Sequence, residues 1–223
     1  MLAAATQDIL FYCTLGHTTL FSALNIIPYY ARLPFRCKYE WSNAVTATLF
    51  QLWLVQSMIK ELLFLDSVEL ATAKTFVHYQ MLQGYFVYDM IYLLTFGLKY
   101  TTFIAHHIGC MCLLQINLHY GFTALWFNML FPILGEITNP FLNMRRLFKE
   151  ACGKTSTVYI VNHGILLFLY FGCRIYGFPL VLALHLLEAV NYPYIMWVPT
   201  YTVLAAIYAV SIDWFSRLMR DSV

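Results

Sequence analysis

Residues 103–109 read Phe103-Ile104-Ala105-His106-His107-Ile108-Gly109, two adjacent histidines within a stretch, 101–118, otherwise apolar enough to cross a bilayer. A titratable side chain in hydrocarbon costs about 3 kcal/mol unless it faces an interior cavity and finds partners there. The flanking apolar stretches carry Asp89 and Glu136. The three together point to an all-α bundle enclosing a polar pocket at membrane depth.

Working outward, the composition supports that class. Of 223 residues, 61% are hydrophobic and 11% charged, against about 25% charged in ordinary soluble domains. A β-barrel would show short, strictly alternating segments, whereas these apolar runs are long. A net charge of +2, with no basic patch interleaved with aromatics, gives no case for nucleic acid. The six cysteines are scattered, mostly within apolar segments. Cys110-x-Cys112 is neither a redox pair nor a zinc knuckle, so they read as reduced, packed thiols with no metal site.

A spanning helix needs about 20 mainly apolar residues. Seven windows qualify: 8–27, 43–65, 79–98, 101–118, 121–146, 156–183 and 195–218. The first lacks a basic region before it or a small-residue cleavage site after it, so it reads as a retained span. Pro28 and Pro34 flank the first loop, 97–102 makes a tight turn, Gly153 precedes helix six and Pro193 precedes helix seven. Pro132 and Pro140 fall within helix five. Each removes a backbone donor, so that helix should bend or unwind beside protein or a polar cavity.

Charge offers an independent check. Arg32, Arg36 and Lys38 fall in the first loop, Arg145, Arg146, Lys149 and Lys154 in the fifth, and Arg217 and Arg220 at the C-terminal end. Cytoplasmic loops collect Lys and Arg. The alternation suits an odd number of spans, with the N-terminus lumenal or outside and the C-terminus cytosolic. Lys60 can snorkel from the outer end of helix two. Arg174, within helix six, has no such escape.

The polar residues form a pattern. Asp89 and Tyr85 share a face of helix three. Adjacent residues on a helix point about 100° apart, so at most one of His106 and His107 aims at the pocket centre. Glu136, Asn139 and Asn143 share a face of helix five, extended outward by Asn128 and Pro132; helix six adds Asn162, His163 and Arg174, and helix seven Asp213. A carboxylate beside a histidine fixes its tautomer and raises its basicity. Arg174 could neutralise Glu136 or hold an anionic head group. Intramembrane polar groups also act as interhelical glue, the reading preferred for Asn117, Asn128, Asn162, His163, His17 and His185. A di-iron desaturase would need several histidine clusters, and a Schiff-base protein a lysine in the last helix; neither is present.

The ordered set GYFVYDM (84–90), IAHHIG (104–109), GEITNPFLNMRRL (135–147) and FGCRIYGFP (171–179) resembles the TLC domain, shared by ceramide synthases, TRAM proteins and smaller TLC-domain-containing membrane proteins. Ser42-Asn43 and Asp213-Trp214-Phe215 resemble that family's flanking elements. The resemblance implies a first transmembrane helix and basic cytosolic loop over 1–40 and a TLC domain over 41–220, whose helices two to seven surround a polar cavity. It implies acting on or sensing a membrane lipid or acyl chain, in the endoplasmic reticulum first and the plasma membrane second.

In ceramide synthases the histidine pair serves N-acylation by acyl-coenzyme A. Carried over, His106 and His107 would be nucleophile or general base, with Asp89 and Glu136 as orienting carboxylates. Tyr85, Asn139, Asn143, His163 and Arg174 would meet the lipid. No cofactor beyond acyl-coenzyme A as co-substrate is implied. The chain departs from the synthases at Leu134-Gly135-Glu136 and Asn139, where they carry aspartates, so lipid handling in membrane homeostasis stands first and N-acyl transfer second. The rim of Arg145, Arg146 and Lys149 could meet coenzyme A phosphates or serve as plain cytosolic anchoring.

Overall fold

The computed structural model describes residues 2–64, 68–96, 101–120, 125–189 and 194–221. They form α1 (Leu2–Leu24), the short α2 (Pro28–Ala31), α3 (Phe35–Leu63), α4 (Val68–Phe96), α5 (Thr101–Tyr120), α6 (Leu125–Glu136), α7 (Asn139–Cys152), α8 (Thr157–Leu169), a π-helical stretch (Tyr170–Gly177), α9 (Phe178–Ala189) and α10 (Tyr194–Arg220). With α6–α7 and α8–π–α9 each read as one interrupted rod, the seven long rods among the described residues coincide with the seven apolar windows. The 97–100 part of the tight turn and Pro193 lie outside the described residues, as do the side chains of Asn117 and Asn128.

Rod and span are not the same quantity. Among the described residues, two helices are long and apolar enough to cross a membrane on composition alone, Thr157–Leu187 and Val198–Arg220, with mean hydropathies of 1.9 and 1.3. For α3 and α4 the physical reason is their polar load. The rod α3 carries Asn43, Gln51, Lys60 and Glu61, and α4 carries Gln80, Gln83 and Asp89. These groups depress hydropathy while several of them face inward: Gln51, Gln80 and Gln83 are all buried. Both rods also begin about ten residues before their apolar windows, through polar turns that favour helix but not lipid.

Three apolar clusters hold the bundle. Leu54 and Met58 of α3 pack with Tyr79, Leu82, Tyr85 and Phe86 of α4, Leu114 of α5 and Ile133 of α6, and Cys13 of α1 closes that cluster. Leu113 of α5 joins Phe127 and Phe131 of α6, Phe178 and Val181 of α9, and Leu204 and Ile207 of α10. Leu166, Tyr170 and Leu218 tie α8 and the π stretch to α10. Full burial of each such side chain is worth about 1.5–3 kcal/mol. The polar site lies among these clusters.

Charged groups gather at the two ends of the rods. At one end Lys38 donates to Asn25 Oδ1, 2.9 Å, Arg146 pairs with Glu40, Trp41 Nε1 donates to Glu150, 3.0 Å, and Arg145 pairs with Asp221, 2.7 Å. Those contacts join the ends of α1, α3, α7 and α10. At the opposite ends of α3 and α4, Lys74 pairs with Glu61 at 2.7 Å.

Candidate functional site

Two local departures from α-helix shape the site. The first is the break after Glu136. Pro140 has no N–H to offer the carbonyl four residues back and its ring crowds that turn, so the rod unwinds over Ile137–Thr138 and restarts with Pro140 in the first turn of α7, a position that proline favours. The Gly135 carbonyl then accepts from the Arg174 guanidinium (Nη2) and from Thr138 Oγ1, 3.3 Å. Pro132, by contrast, sits inside α6 without interrupting it.

The second departure is the π stretch, a rare geometry often found at functional sites. It carries Arg174, which is 4% exposed. Arg174 Nε donates to Thr138 Oγ1, 2.9 Å, and Nη2 to Asn139 Oδ1, 2.7 Å, while its guanidinium lies 5.1 Å from the Tyr170 ring. Gly177 permits the stretch: a β-carbon there would meet the Gly172 carbonyl at 2.9 Å. Arg174 thus clamps the unwound segment, and it reaches Glu136 through Asn139.

Glu136 is 5% exposed, yet its Oε2 accepts from Asn139 Nδ2, 2.9 Å, and Gln51 Nε2, 3.1 Å. Gln51 Nε2 also donates to Tyr85 OH, 3.1 Å, and its Oε1 accepts from Asn143 Nδ2, 3.4 Å. A carboxylate tolerates burial only when its lone pairs are met, and here α3 and α7 meet them. The Tyr85 ring stacks on Phe50 at 4.9 Å.

The two histidines have different surroundings. His107 Nε2 lies 2.9 Å from Asp89 Oδ2, and its Nδ1 lies 2.8 Å from the Phe103 carbonyl. A carbonyl oxygen only accepts, so Nδ1 carries a hydrogen; Nε2 and Asp89 then share one hydrogen between them. Asp89 Oδ1 accepts from Asn43 Nδ2, 3.3 Å. Both nitrogens of His107 are therefore taken. His106 Nε2 lies 3.6 Å from Cys110 Sγ, and its Nδ1 is buried with no hydrogen-bond partner. The Trp214 ring meets His106 edge-on at 5.3 Å and stacks on Phe103 at 4.4 Å.

Three cavities run through these groups. The central chamber, about 70 Å³, is walled by Tyr85, Asp89, His106, His107, Glu136, Asn139, Asn143 and Arg174 among others. That is room for several waters at about 10–15 Å³ each. It shares Asn43, Asp89, Phe103, Leu142 and Asn143 with a vestibule of about 300 Å³ whose rim is Glu40, Arg145, Arg146 and Lys149. It shares Phe86, His106, Glu136 and Arg174 with a narrow apolar slot of about 50 Å³, lined by Leu82, Cys110, Leu113, Leu114, Phe131 and Phe178.

Eight of the nine residues expected at the site thus line one chamber. His163 is placed elsewhere: it accepts from Arg145 Nε, 3.0 Å, and stacks on Tyr159, so it braces the vestibule rim from α8 and does not line the chamber. Asp213 pairs with Arg217 at 2.9 Å on an exposed face of α10. Asn162 donates to the Phe141 carbonyl, 2.9 Å, an interhelical tie of the expected kind. Outside the membrane-spanning stretches, the hydrogen bond from Arg145 holds Asp221 below the ordinary aspartate range.

Sequence reasoning passed over Gln51, Thr138, Cys110 and the role of Trp214. For Gln51 a signal existed: Asn43, Ala47 and Gln51 recur every four residues, one face of α3. Cys110 likewise follows His106 by four. Thr138 sits at the break in the helix, where its hydroxyl meets Arg174 Nε.

Comparison with curated proteins gives no match, and comparison with solved structures gives none. A family model described as the TLC domain matches residues 19–220. That span contains the whole chamber, all of its lining helices and both apolar helices long enough to cross a bilayer, so this chain is an integral membrane protein belonging to the TLC-domain family.

Proposed function

We propose that this protein holds the acyl chain of a membrane lipid or lipid precursor within its bundle, the chain in the apolar slot and the polar head toward the basic vestibule, and so contributes to membrane lipid composition. The observation that carries this reading is the set of three cavities that share wall residues, apolar in the slot, polar in the chamber and basic at the vestibule rim. A lipid acyl group has the same gradation. All seven rods cross the membrane in this reading, with the N-terminus lumenal and the charged end of α3, α7 and α10 in the cytosol; the clustering of Lys38, Arg145, Arg146 and Lys149 near one end supports it. The endoplasmic reticulum is the membrane that the family suggests.

A second reading, acyl transfer from acyl-coenzyme A to a lipid amine or hydroxyl, rests on the difference between the two histidines. His107, bound to Asp89 and the Phe103 carbonyl, is a positioning residue that fixes α5 against α4. His106 has a nitrogen to spare at the junction of chamber and slot, where a thioester carbonyl would lie. A positioned histidine that takes a proton from the attacking group contributes about 10²–10⁴-fold to such a step. Glu136, already holding two amide donors, stabilises the chamber wall.

The test is lipid mass spectrometry on the purified chain, beside Leu113→Phe, which narrows the slot. Wild type should carry acyl lipid, and the variant, folded but less stable by about 1–3 kcal/mol, should carry shorter chains. A wild-type protein free of acyl lipid, or an unchanged chain-length profile in a folded variant, would overturn the reading.

A further inference from the structure

We propose that Cys110 is an acyl-accepting nucleophile, which takes an acyl group from a thioester donor as a covalent thioester before passing it on. This rests on the acyl-binding reading and adds to it a covalent step on a residue that the composition alone marks as a packed thiol.

The thiol is not a lone feature. Cys110 Sγ lies 3.6 Å from His106 Nε2, one helical turn away on the same face of α5. Both side chains line the apolar slot, and His106 also lines the polar chamber. Cys110 packs against the α3–α4 cluster and against the α9–α10 cluster, so its sulfur sits at the seam between them, where the slot runs. The neighbouring Cys112 is exposed and is not among the groups lining the slot.

The orphan nitrogen of His106 supplies the second observation. A thiol in apolar surroundings stays protonated and unreactive without a base in contact. If Nε2 accepts from the Cys110 thiol, the ring hydrogen resides on Nδ1, and Nδ1 is the buried atom that has no partner in the protein. Buried donors are almost always satisfied. His106 lines both the slot and the chamber, and the carbonyl oxygen of an acyl group held there is an acceptor of the kind its Nδ1 lacks. One ring thereby presents a proton acceptor to the nucleophile and a donor toward the cavity.

The chemistry balances. The Cys110 hydrogen moves to His106 Nε2, and Sγ attacks the carbonyl carbon of the donor thioester. A new sulfur–carbon bond forms, the old one breaks, and the departing thiolate takes the proton back from Nε2. A lipid amine or hydroxyl then attacks the acyl-Cys110 carbonyl, and its proton returns to the thiol. No oxidant, metal or further co-reactant enters. The acyl chain stays in the slot throughout, while the donor's anionic portion leaves through the vestibule.

The experiment uses the full chain purified in detergent and incubated with radiolabelled palmitoyl-coenzyme A, then denatured. Hydroxylamine-labile label on the protein, mapped by peptide mass spectrometry to Cys110, is the expected result. Cys110→Ser should lose at least about tenfold of the label, and His106→Ala should slow its appearance by about 10²-fold. Cys112→Ala and Cys173→Ala should label as wild type does. Melting curves establish that Cys110→Ser is folded, and mapping on the wild-type chain stands regardless of any variant. Label retained in folded Cys110→Ser, or palmitoyl bound without a covalent product, would overturn the proposal and leave acyl binding standing. Absence of both covalent and non-covalent palmitoyl would remove the acyl-binding reading as well.

Discussion

His17 and the His106–His107 pair are both buried in the bundle, yet only the pair lines a described cavity. His17, on α1, is 3% exposed; its Nδ1 lies 2.7 Å from Tyr88 OH and its Nε2 3.3 Å from Ser42 Oγ. Tyr39, 4.4 Å away, and the rings of Phe21, Tyr88 and Tyr92 fill the space around it. None of the cavities described above touches it. His106 has the rings of Trp214 and His107 beside it, but one of its nitrogens lacks a partner and it lines two cavities. Burial of an imidazole therefore says little about function. An unsatisfied nitrogen on a residue that lines two cavities is a better guide, since a group in the cavity can meet it, whereas the equally unmet His78 Nδ1 lines none of them.

That contrast yields measurable consequences. The largest concerns His107. Removing one partner of a buried, hydrogen-bonded pair strands the other, so His107→Ala should lower stability by about 3–5 kcal/mol, read by chemical or thermal denaturation in detergent. A loss below about 1 kcal/mol would mean that Asp89 and His107 do not share a hydrogen.

His17→Ala should cost less, about 1–2 kcal/mol, because it leaves the Tyr88 hydroxyl unmet while Ser42 keeps its bonds to the Lys38 and Tyr39 carbonyls. Its co-purifying lipid should match wild type. If His17→Ala depleted acyl lipid, the distinction between cage and chamber would collapse.

The smallest effect lies at the rim. Arg145 holds Asp221 in its charged form below the ordinary aspartate range. The contribution of that bond is full above the ordinary value and fades as pH falls through the lowered one. Exposed pairs are worth about 0–1 kcal/mol, so Asp221→Asn should shift the melting temperature by at most about 4 °C at neutral pH. The gap from wild type should close in acid. A gap that widened there would exclude the carboxylate as its source.

How far the sequence could be read differs from one element to the next. The seven apolar windows correspond to seven rods, since a rod's apolar length registers directly in hydropathy. An interruption of the fifth rod was legible too, because a missing N–H is a local fact, but Pro132 carries the same signal and leaves α6 unbroken. Helix starts were less so: α3 begins at Phe35 and α4 at Val68, well before their windows, through polar turns such as Lys38-Tyr39-Glu40 that hydropathy ignores. Gln51 and Cys110 had periodicity in their favour but little chemical distinction, and His163 had chemistry without the position.

Residue types and their spacing were enough to settle an all-helical membrane bundle, its broken fifth rod and the presence of costly polar groups at depth, because each follows from one chain segment and its solvent. Which histidine pairs with Asp89, which keeps an unmet nitrogen, and that Arg174 clamps an unwound turn while Cys110 touches His106 at a seam depended on the rotation and depth of each rod. Those are set by packing among seven helices at once, and no single helix carries that information.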